Sequence, residues 1–279
     1  MLLPTGSERS RNRPDSGSQA WVRGYMRIKV LGCSGGIGGD LRTTSMLVDD
    51  DMLIDAGTGV SDLSIEQLVK IDHIFVTHSH LDHVTSIPFL VDTVCWMRDR
   101  PITVYSTAAT IQILKEHLFN WKIWPDFSEI PNGDQMCMVY KEISVGETLD
   151  FDGRKITAIP AVHTVPAVGY LLDSGAATLI FSGDTTTNDA LWEIANRVKN
   201  LKYLIIETAF PNKEREIAIA SKHLCPSMLA EELAKLNRPV EVLVTHLKPG
   251  EIHLTMSEIG RNAGKWRPRM LENGMEMTI

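Results

Sequence analysis

The chain has 279 residues, 43% of them hydrophobic and 23% charged, with a formal net charge of -7. That is a globular composition with ample apolar material for one large core or two small ones. The acidic balance excludes a protein that coats nucleic acid by backbone electrostatics alone, and no apolar run is long enough to span a membrane.

Residues 1–25 differ in kind from the rest of the chain. They are rich in Arg, Ser, Gly and Pro, have no apolar period and lack the apolar core of a signal peptide. They read as a disordered extension, with a single domain over 26–279. Arg27 to Leu31 is a strand pattern, followed by the glycine-rich run Gly32 to Gly39. That run lacks the spacing and the lysine of a phosphate-binding P-loop. It reads as a tight turn bringing backbone close to an active site. Met46 to Val48 and Met52 to Ile54 read as strands around the acidic turn Asp49-Asp50-Asp51. Asp55 ends an apolar strand, so a buried carboxylate there needs a partner. A metal-ligating histidine would supply one; a simple turn cap is the alternative.

Ser61 to Val69 reads as a short amphipathic helix, and Ile71 to Val76 as a buried strand. That strand delivers Thr77-His78-Ser79-His80-Leu81-Asp82-His83, four metal-ligating side chains within six positions. Alternate residues of an extended chain share a face, so His78 and His80 aim to one side. Asp82 and His83 come after the bend and reach a second point. One segment can thus serve two divalent cations. Each ion wants at least four partners, so further His and Asp ligands are required at the ends of later strands.

Ile87 to Met97 reads as a buried helix, Ile102 to Tyr105 as a strand and Ala108 to Leu118 as an amphipathic helix. Phe119 to Phe127 then carries four aromatics in nine positions with no clear period. One reading is a hydrophobic loop packed on the core or at a homodimer contact. The other is a lid in which rings such as Trp124 stack on a flat group like a nucleobase. Strand patterns come next at Met138 to Ile143, Thr148 to Phe151, Lys155 to Ala161, Val168 to Leu172 and Thr178 to Phe181. Ala190 to Val198 and Ser227 to Leu236 read as helices. Tyr203 to Ile206 and Val240 to Val244 read as buried strands, and Met275 to Ile279 as a last one. The plan is α/β, two similar halves with sheets packed together and helices outside.

The ligands demanded by the central loop are present. His163, Asp184 and His246 each sit just past the carboxyl end of an apolar run, where a loop on a rigid scaffold carries function. His73 and His117 read as structural, and His253 as a solvated residue of a polar loop. His223 stands apart from any strand end; Glu207, at the end of Tyr203 to Ile206, orients it if the fold brings the two together. The cysteines Cys33, Cys95, Cys137 and Cys225 are scattered with no C-x-x-C pair. They read as reduced thiols, which places the protein in a cytoplasm.

His78-x-His80-x-Asp82-His83, with His163, Asp184 and His246 downstream, resembles the metallo-β-lactamase superfamily from Met26 onward. The resemblance implies an αββα sandwich of two mixed sheets with the metals at the edge between them. Within the superfamily the chain is similar to class II cyclic-nucleotide phosphodiesterases. The residues behind this are His78 to Ser86, the run Ser182-Gly183-Asp184-Thr185, and Glu207-Thr208-Ala209-Phe210 with Ser221-Lys222-His223-Leu224 after it. The Glu-then-His arrangement also looks like tRNase Z, although no long flexible arm is evident. Carried over, His78, His80 and His163 hold one ion, Asp82, His83 and His246 the other, and Asp184 bridges. Zinc is the first expectation, with manganese or iron as alternatives. The implied reaction is hydrolysis of a 3′,5′-cyclic nucleotide to the 5′-monophosphate by a hydroxide activated between the two metals. His223, held by Glu207, would protonate the departing oxygen. Ser34, Gly35 and Thr185 are the expected phosphate contacts. The expected partner is this small substrate, with neither membrane nor nucleic acid, and a homodimer is an open alternative. A tRNase Z-like nuclease and a non-catalytic metal- or nucleotide-binding protein are the competing readings.

Overall fold

The computed structural model describes residues 24–279; the extension expected over 1–25 lies almost wholly outside them. Met26, next to the first strand, is fully buried.

The strands in chain order are β1 (Arg27–Gly32), β2 (Ser45–Val48), β3 (Met52–Ile54), β4 (His73–Phe75), β5 (Ile102–Ser106), the small hairpin β6 (Pro131–Asn132) and β7 (Gln135–Met136), β8 (Met138–Glu142), β9 (Thr148–Phe151), β10 (Arg154–Pro160), β11 (Val168–Asp173), β12 (Thr178–Phe181), β13 (Leu201–Glu207), β14 (Glu241–Thr245), β15 (Arg269–Met270) and β16 (Glu276–Thr278). The helices are α1 (Ile65–Leu68), α2 (Leu81–Val84), α3 (Ser86–Val94), α4 (Ala108–His117), α5 (Asp189–Arg197), α6 (Arg215–Ala220), α7 (Pro226–Leu233) and α8 (Ile252–Asn262).

Two seven-stranded sheets form, in the orders β16-β1-β2-β3-β4-β5-β8 and β15-β14-β13-β12-β11-β10-β9. Each has an antiparallel half that turns parallel: at β3 to β4 in the first sheet and at β12 to β13 in the second. This is the expected pair of similar halves. The middle strands are apolar on both faces because both faces are covered. Phe75 points into the core shared by the two sheets with Met46, Ile54, Tyr170, Phe181 and Leu243. Its neighbour Ile74 points the other way, onto α3 with Leu47, Val91 and Val104. A third core lies outside the second sheet, under α5, α7 and α8. The αββα sandwich is therefore present.

The differences from expectation have local causes. The helix expected over Ser61 to Val69 is broken into a 3-10 turn, Thr58–Asp62, and α1. Ser64 between them caps α1 in a reciprocal pair with Gln67, which fixes the start of a new helix. The long helix Ile87 to Met97 is α3 plus a 3-10 turn, Cys95–Met97. Pro88 falls in the first turn of α3, where a missing N–H costs nothing. The stretch around His253, expected as a polar loop, is α8, which buries only Thr255 and Ile259. So narrow an apolar stripe gives little periodic signal. Among the described residues no helix is long and apolar enough to cross a membrane.

The cysteine reading is corrected. Cys95 and Cys137 are joined in a disulfide, their Cα atoms 5.2 Å apart across 42 positions of sequence; Cys33 and Cys225 remain free. Spacing in sequence carries no information on such a pairing, because β8 is brought beside the end of α3 only by the sheet. Scattered thiols no longer argue for a reducing compartment.

Candidate metal centre

Every expected ligand stands at the carboxyl end of a strand on one side of the sandwich. β4 runs into Thr77 to His83, β10 leads to His163, β12 to Asp184, β13 to Glu207 and β14 to His246. The two sheets are stitched together there. The Tyr170 hydroxyl donates to the carbonyl of Val76 at 2.8 Å, and the amide of Val168 to that of Thr77 at 3.0 Å.

Three groups of ligand atoms, each within 4.8 Å of one another, result: His78, His80, His163 and Asp184; Asp82, His83 and His246; and Asp184, His223 and His246. Asp184 belongs to the first and third and also lies 3.3 Å from His83 Nε2. The seven expected metal ligands are thus gathered, with Asp184 between the two sets. Asp82 is the more exposed carboxylate of the centre, at 26%, so it marks the side open to solvent.

Hydrogen bonds behind the rings fix which nitrogen faces the centre. Asp55, fully buried, accepts from the Thr77 amide and hydroxyl, both at 2.8 Å, and from His83 Nδ1 at 2.7 Å. The Thr77 hydroxyl, spent as a donor on Asp55, accepts from His78 Nδ1 at 3.0 Å. His163 Nδ1 donates to the Lys222 carbonyl at 3.2 Å. Each of these rings therefore keeps a proton on Nδ1 and turns its Nε2 inward. His163 Nε2 lies 3.2 Å from His80 Nδ1, two acceptors converging on one point. The partner that Asp55 needs is thus His83.

A pair of divalent cations fits this donor set. His78 Nε2, His83 Nε2 and His246 Nδ1 are buried with no hydrogen-bond partner, an arrangement that costs free energy unless something else accepts their lone pairs. Burial holds His163 down to about 4 and His246 down to about 3, so both are neutral at pH 7, the form that binds metal. Burial opposes a proton on His83 too, but Asp184 and Asp55 outweigh it and raise its proton affinity well above the usual range. The same two carboxylates make this point attractive to any cation. Neutral imidazoles with carboxylates suit Zn, Mn and Fe alike.

The backbone is bent to reach this geometry. Asp55 and His246 sit in left-handed conformations, φ 56° and 63°, which non-glycine residues adopt at a cost of order 1–3 kcal/mol when strained. The glycine-rich loop is what His246 leans on. The Gly35 amide donates to the Leu247 carbonyl at 3.0 Å, and a Cβ on Gly35 would stand 2.5 Å from the His246 carbonyl oxygen. This is the close backbone approach expected of the loop. Its donor is spent on the fold, as is the Ser34 hydroxyl, which faces the Leu247 carbonyl at 3.4 Å. Thr185, also expected at the phosphate, accepts from the Val162 amide at 3.0 Å and donates to the Thr186 carbonyl at 3.2 Å.

His223 and Glu207 are brought together: His223 Nδ1 donates to Glu207 Oε1 at 2.8 Å. Glu207 is fully buried and also accepts from the amides of Thr185 and Leu224, at 3.2 and 3.3 Å. Burial disfavours the charged His223, yet Glu207 outweighs it and raises the imidazole above its ordinary value. The ring stacks on His246 at 5.0 Å. Trp124 is half-buried. It packs on Phe89 at 5.1 Å, beside the core outside the first sheet.

Sequence reasoning gave no role to Thr77, Lys222 or Lys248. Lys248 Nζ donates to the Gly35 carbonyl at 2.7 Å and lies 3.4 Å from His246 Nε2.

Residues 51–247 match the family model described as "Beta-lactamase superfamily domain", more than half of the chain. The chain belongs to the metallo-β-lactamase superfamily. A probable 3′,5′-cyclic-nucleotide phosphodiesterase of Yersinia pestis is 26% identical to it over 204 residues, 64% of this chain and 58% of that one. A ribonuclease Z of Haloarcula marismortui is 33% identical over 162 residues, 53% and 47% of the two chains. The chain thus spans about half the length of the curated relatives it matches. The crystal structure of unliganded yeast PDE1 shares the fold, with a TM-score of 0.77 at 17% identity over 91% of this chain and 99% of the other. On that superfamily fold, the His and Asp clusters of this chain lie at strand ends between the two sheets.

Proposed function

We propose that this metallo-β-lactamase-fold protein is a metal-dependent phosphodiester hydrolase whose substrate is a 3′,5′-cyclic nucleotide. The observation that carries the reading is the gathering of two His/Asp ligand sets around Asp184, with the His223–Glu207 pair against the same carboxylate. His78, His80 and His163 would hold one cation, Asp82, His83 and His246 the other, with Asp184 shared. When bound, such a pair activates water near neutral pH and neutralises charge on phosphoryl oxygens.

The chain's own residues supply the rest. Glu207 fixes the His223 proton on Nδ1 and, by its charge, favours a second proton on Nε2. That Nε2 proton is the one available to a departing alkoxide. Thr77 and Asp55 keep His78 and His83 in one orientation through turnover. The net charge of -7 favours a small substrate over a polyanion. The likeness to the Yersinia pestis protein supports the cyclic nucleotide. The likeness to ribonuclease Z supports a second reading, an RNA-processing nuclease using the same residues.

Turnover of bis(p-nitrophenyl) phosphate, abolished by chelator and by Asp82→Ala, separates a hydrolase from a binding protein. Mass spectrometry of the purified protein names the metal. A panel of cyclic mononucleotides, cyclic dinucleotides and precursor tRNA then ranks substrates; cleavage of RNA ends with no turnover of any cyclic compound would put the nuclease first.

A further inference from the structure

Ser221 and Lys222 separate α6 from His223, and the way the helix ends decides where that ring stands. The Lys222 amide donates to the Ile219 carbonyl at 3.2 Å, and the His223 amide to the Ala218 carbonyl at 2.8 Å. These are the two bonds of a Schellman motif, in which the residue just beyond the cap takes the left-handed conformation. That residue is Lys222, with φ 53°. Glycine is the usual occupant of such a place, because a Cβ is penalised there. Lysine stands here against the local preference, and its side chain shows what offsets the cost.

Lys222 Nζ donates to the main-chain carbonyl of His163 at 2.8 Å, while the Lys222 carbonyl accepts from His163 Nδ1 at 3.2 Å. One residue thus grips His163 twice. The main chain aims the ring, and the ammonium holds the loop that carries it. The Lys222 carbonyl and the His223 amide belong to one planar peptide unit. That unit accepts from the ligand ring on one side and donates to the end of α6 on the other. The His223 ring lies 4.9 Å from that of His163, its Nδ1 committed to Glu207 at 2.8 Å. Lys222 is otherwise exposed, so changing it empties no core.

We propose that Lys222 is a positioning residue: its two bonds to His163 hold the metal-ligating ring and His223 at a fixed separation. The consequence at His223 rests on the hydrolase reading. The hold on His163 does not, and metal binding alone reads it.

Lys222→Gly in the full chain keeps both main-chain bonds, relieves the left-handed backbone and deletes only the ammonium. Its melting temperature should match or exceed that of the wild type. Its affinity for one of two zinc ions, titrated against a chromogenic chelator, should nonetheless fall about tenfold. Lys222→Arg, whose guanidinium reaches the same carbonyl, should recover most of that loss. Lys222→Met keeps the stem and the backbone cost, and stands in should the glycine variant fail to fold. With both metal sites saturated, Lys222→Gly should lower kcat on alkyl phosphodiesters about tenfold at unchanged KM. In a His223→Ala background it should lower kcat no further, because it acts through that ring. Zinc affinity unchanged in both Lys222→Gly and Lys222→Met would overturn the proposal. So would an equal loss of kcat with and without His223. A wild-type chain that takes up neither zinc, manganese nor iron would overturn it together with the hydrolase reading. A metal-loaded wild type with no turnover of any diester would sink that reading alone and leave the zinc titration to decide the role of Lys222.

Discussion

The imidazole of His83 is aimed by a carboxylate it does not share with solvent. Asp55→Asn would keep the shape while exchanging one acceptor oxygen for a donor, leaving either Thr77 or His83 Nδ1 badly paired. Losses of about 10–100-fold in metal affinity are usual for such partners; the expected result is a fall of that order by competition with a chromogenic chelator, with the fold retained. His223 is separable from metal binding because its Nδ1 is committed to Glu207. His223→Ala should therefore lower kcat by about 10²–10⁴ on alkyl phosphodiesters while bound metal is unchanged. Activated aryl esters, whose leaving group needs little protonation, should lose much less. Equal loss on both would remove His223 from the acid role.

Loops and strand ends carry the next level. The Gly32–Gly39 run acts as a floor for the loop after β14: Gly35 faces the His246 carbonyl. Gly35→Ala should push that loop away, lower metal affinity and cost roughly 1–3 kcal/mol of stability as an overpacking change, read from urea melts of the metal-free and loaded protein. At the far end of β4, Asp72 binds Arg98 at 2.5 Å and Arg100 at 2.8 Å. Burial pushes Asp72 up, but the two guanidinium groups outweigh it and hold the carboxyl below its usual value. A carboxylate depressed in the folded state stabilises fully above its unfolded pKa, about 3.9, and loses that contribution as pH falls through the lower folded value. Asp72→Asn should flatten the acid limb of the melting temperature below about pH 4, with least change in slope near neutrality. An unaltered acid limb would show that the guanidinium pair contributes nothing there.

For the molecule as a whole, two sheets with a common core leave three layers of contact, and the disulfide joins the outermost helical layer to an edge strand. Cys95–Cys137 closes a loop of 42 positions, for which chain entropy gives about 4 kcal/mol as an upper figure and 2–4 kcal/mol is typical. Reduction, or Cys95→Ala with Cys137→Ala, should lower the denaturant midpoint accordingly without moving the metal ligands, which lie on the other strand ends. A midpoint insensitive to reductant in the native protein would mean that the thiols are unpaired in solution.

The amino-acid sequence by itself determined the sheets and the ligands. A strand buried on both faces must be written in apolar residues, as in Thr178 to Phe181 and Met52 to Ile54, and a metal ligand must be His or Asp just beyond it. Those are local constraints, so they are legible locally. Only the tertiary structure decided which distant groups meet where the sequence left the partner open: Asp55 with His83, Cys95 with Cys137, Gly35 with His246. Each pairing depends on the order and direction of strands in a sheet. Many chain separations are compatible with the same hydrogen-bonded neighbour, so no spacing along the chain encodes it. α8 was lost for the complementary reason: a helix that buries only two side chains leaves almost no period to read.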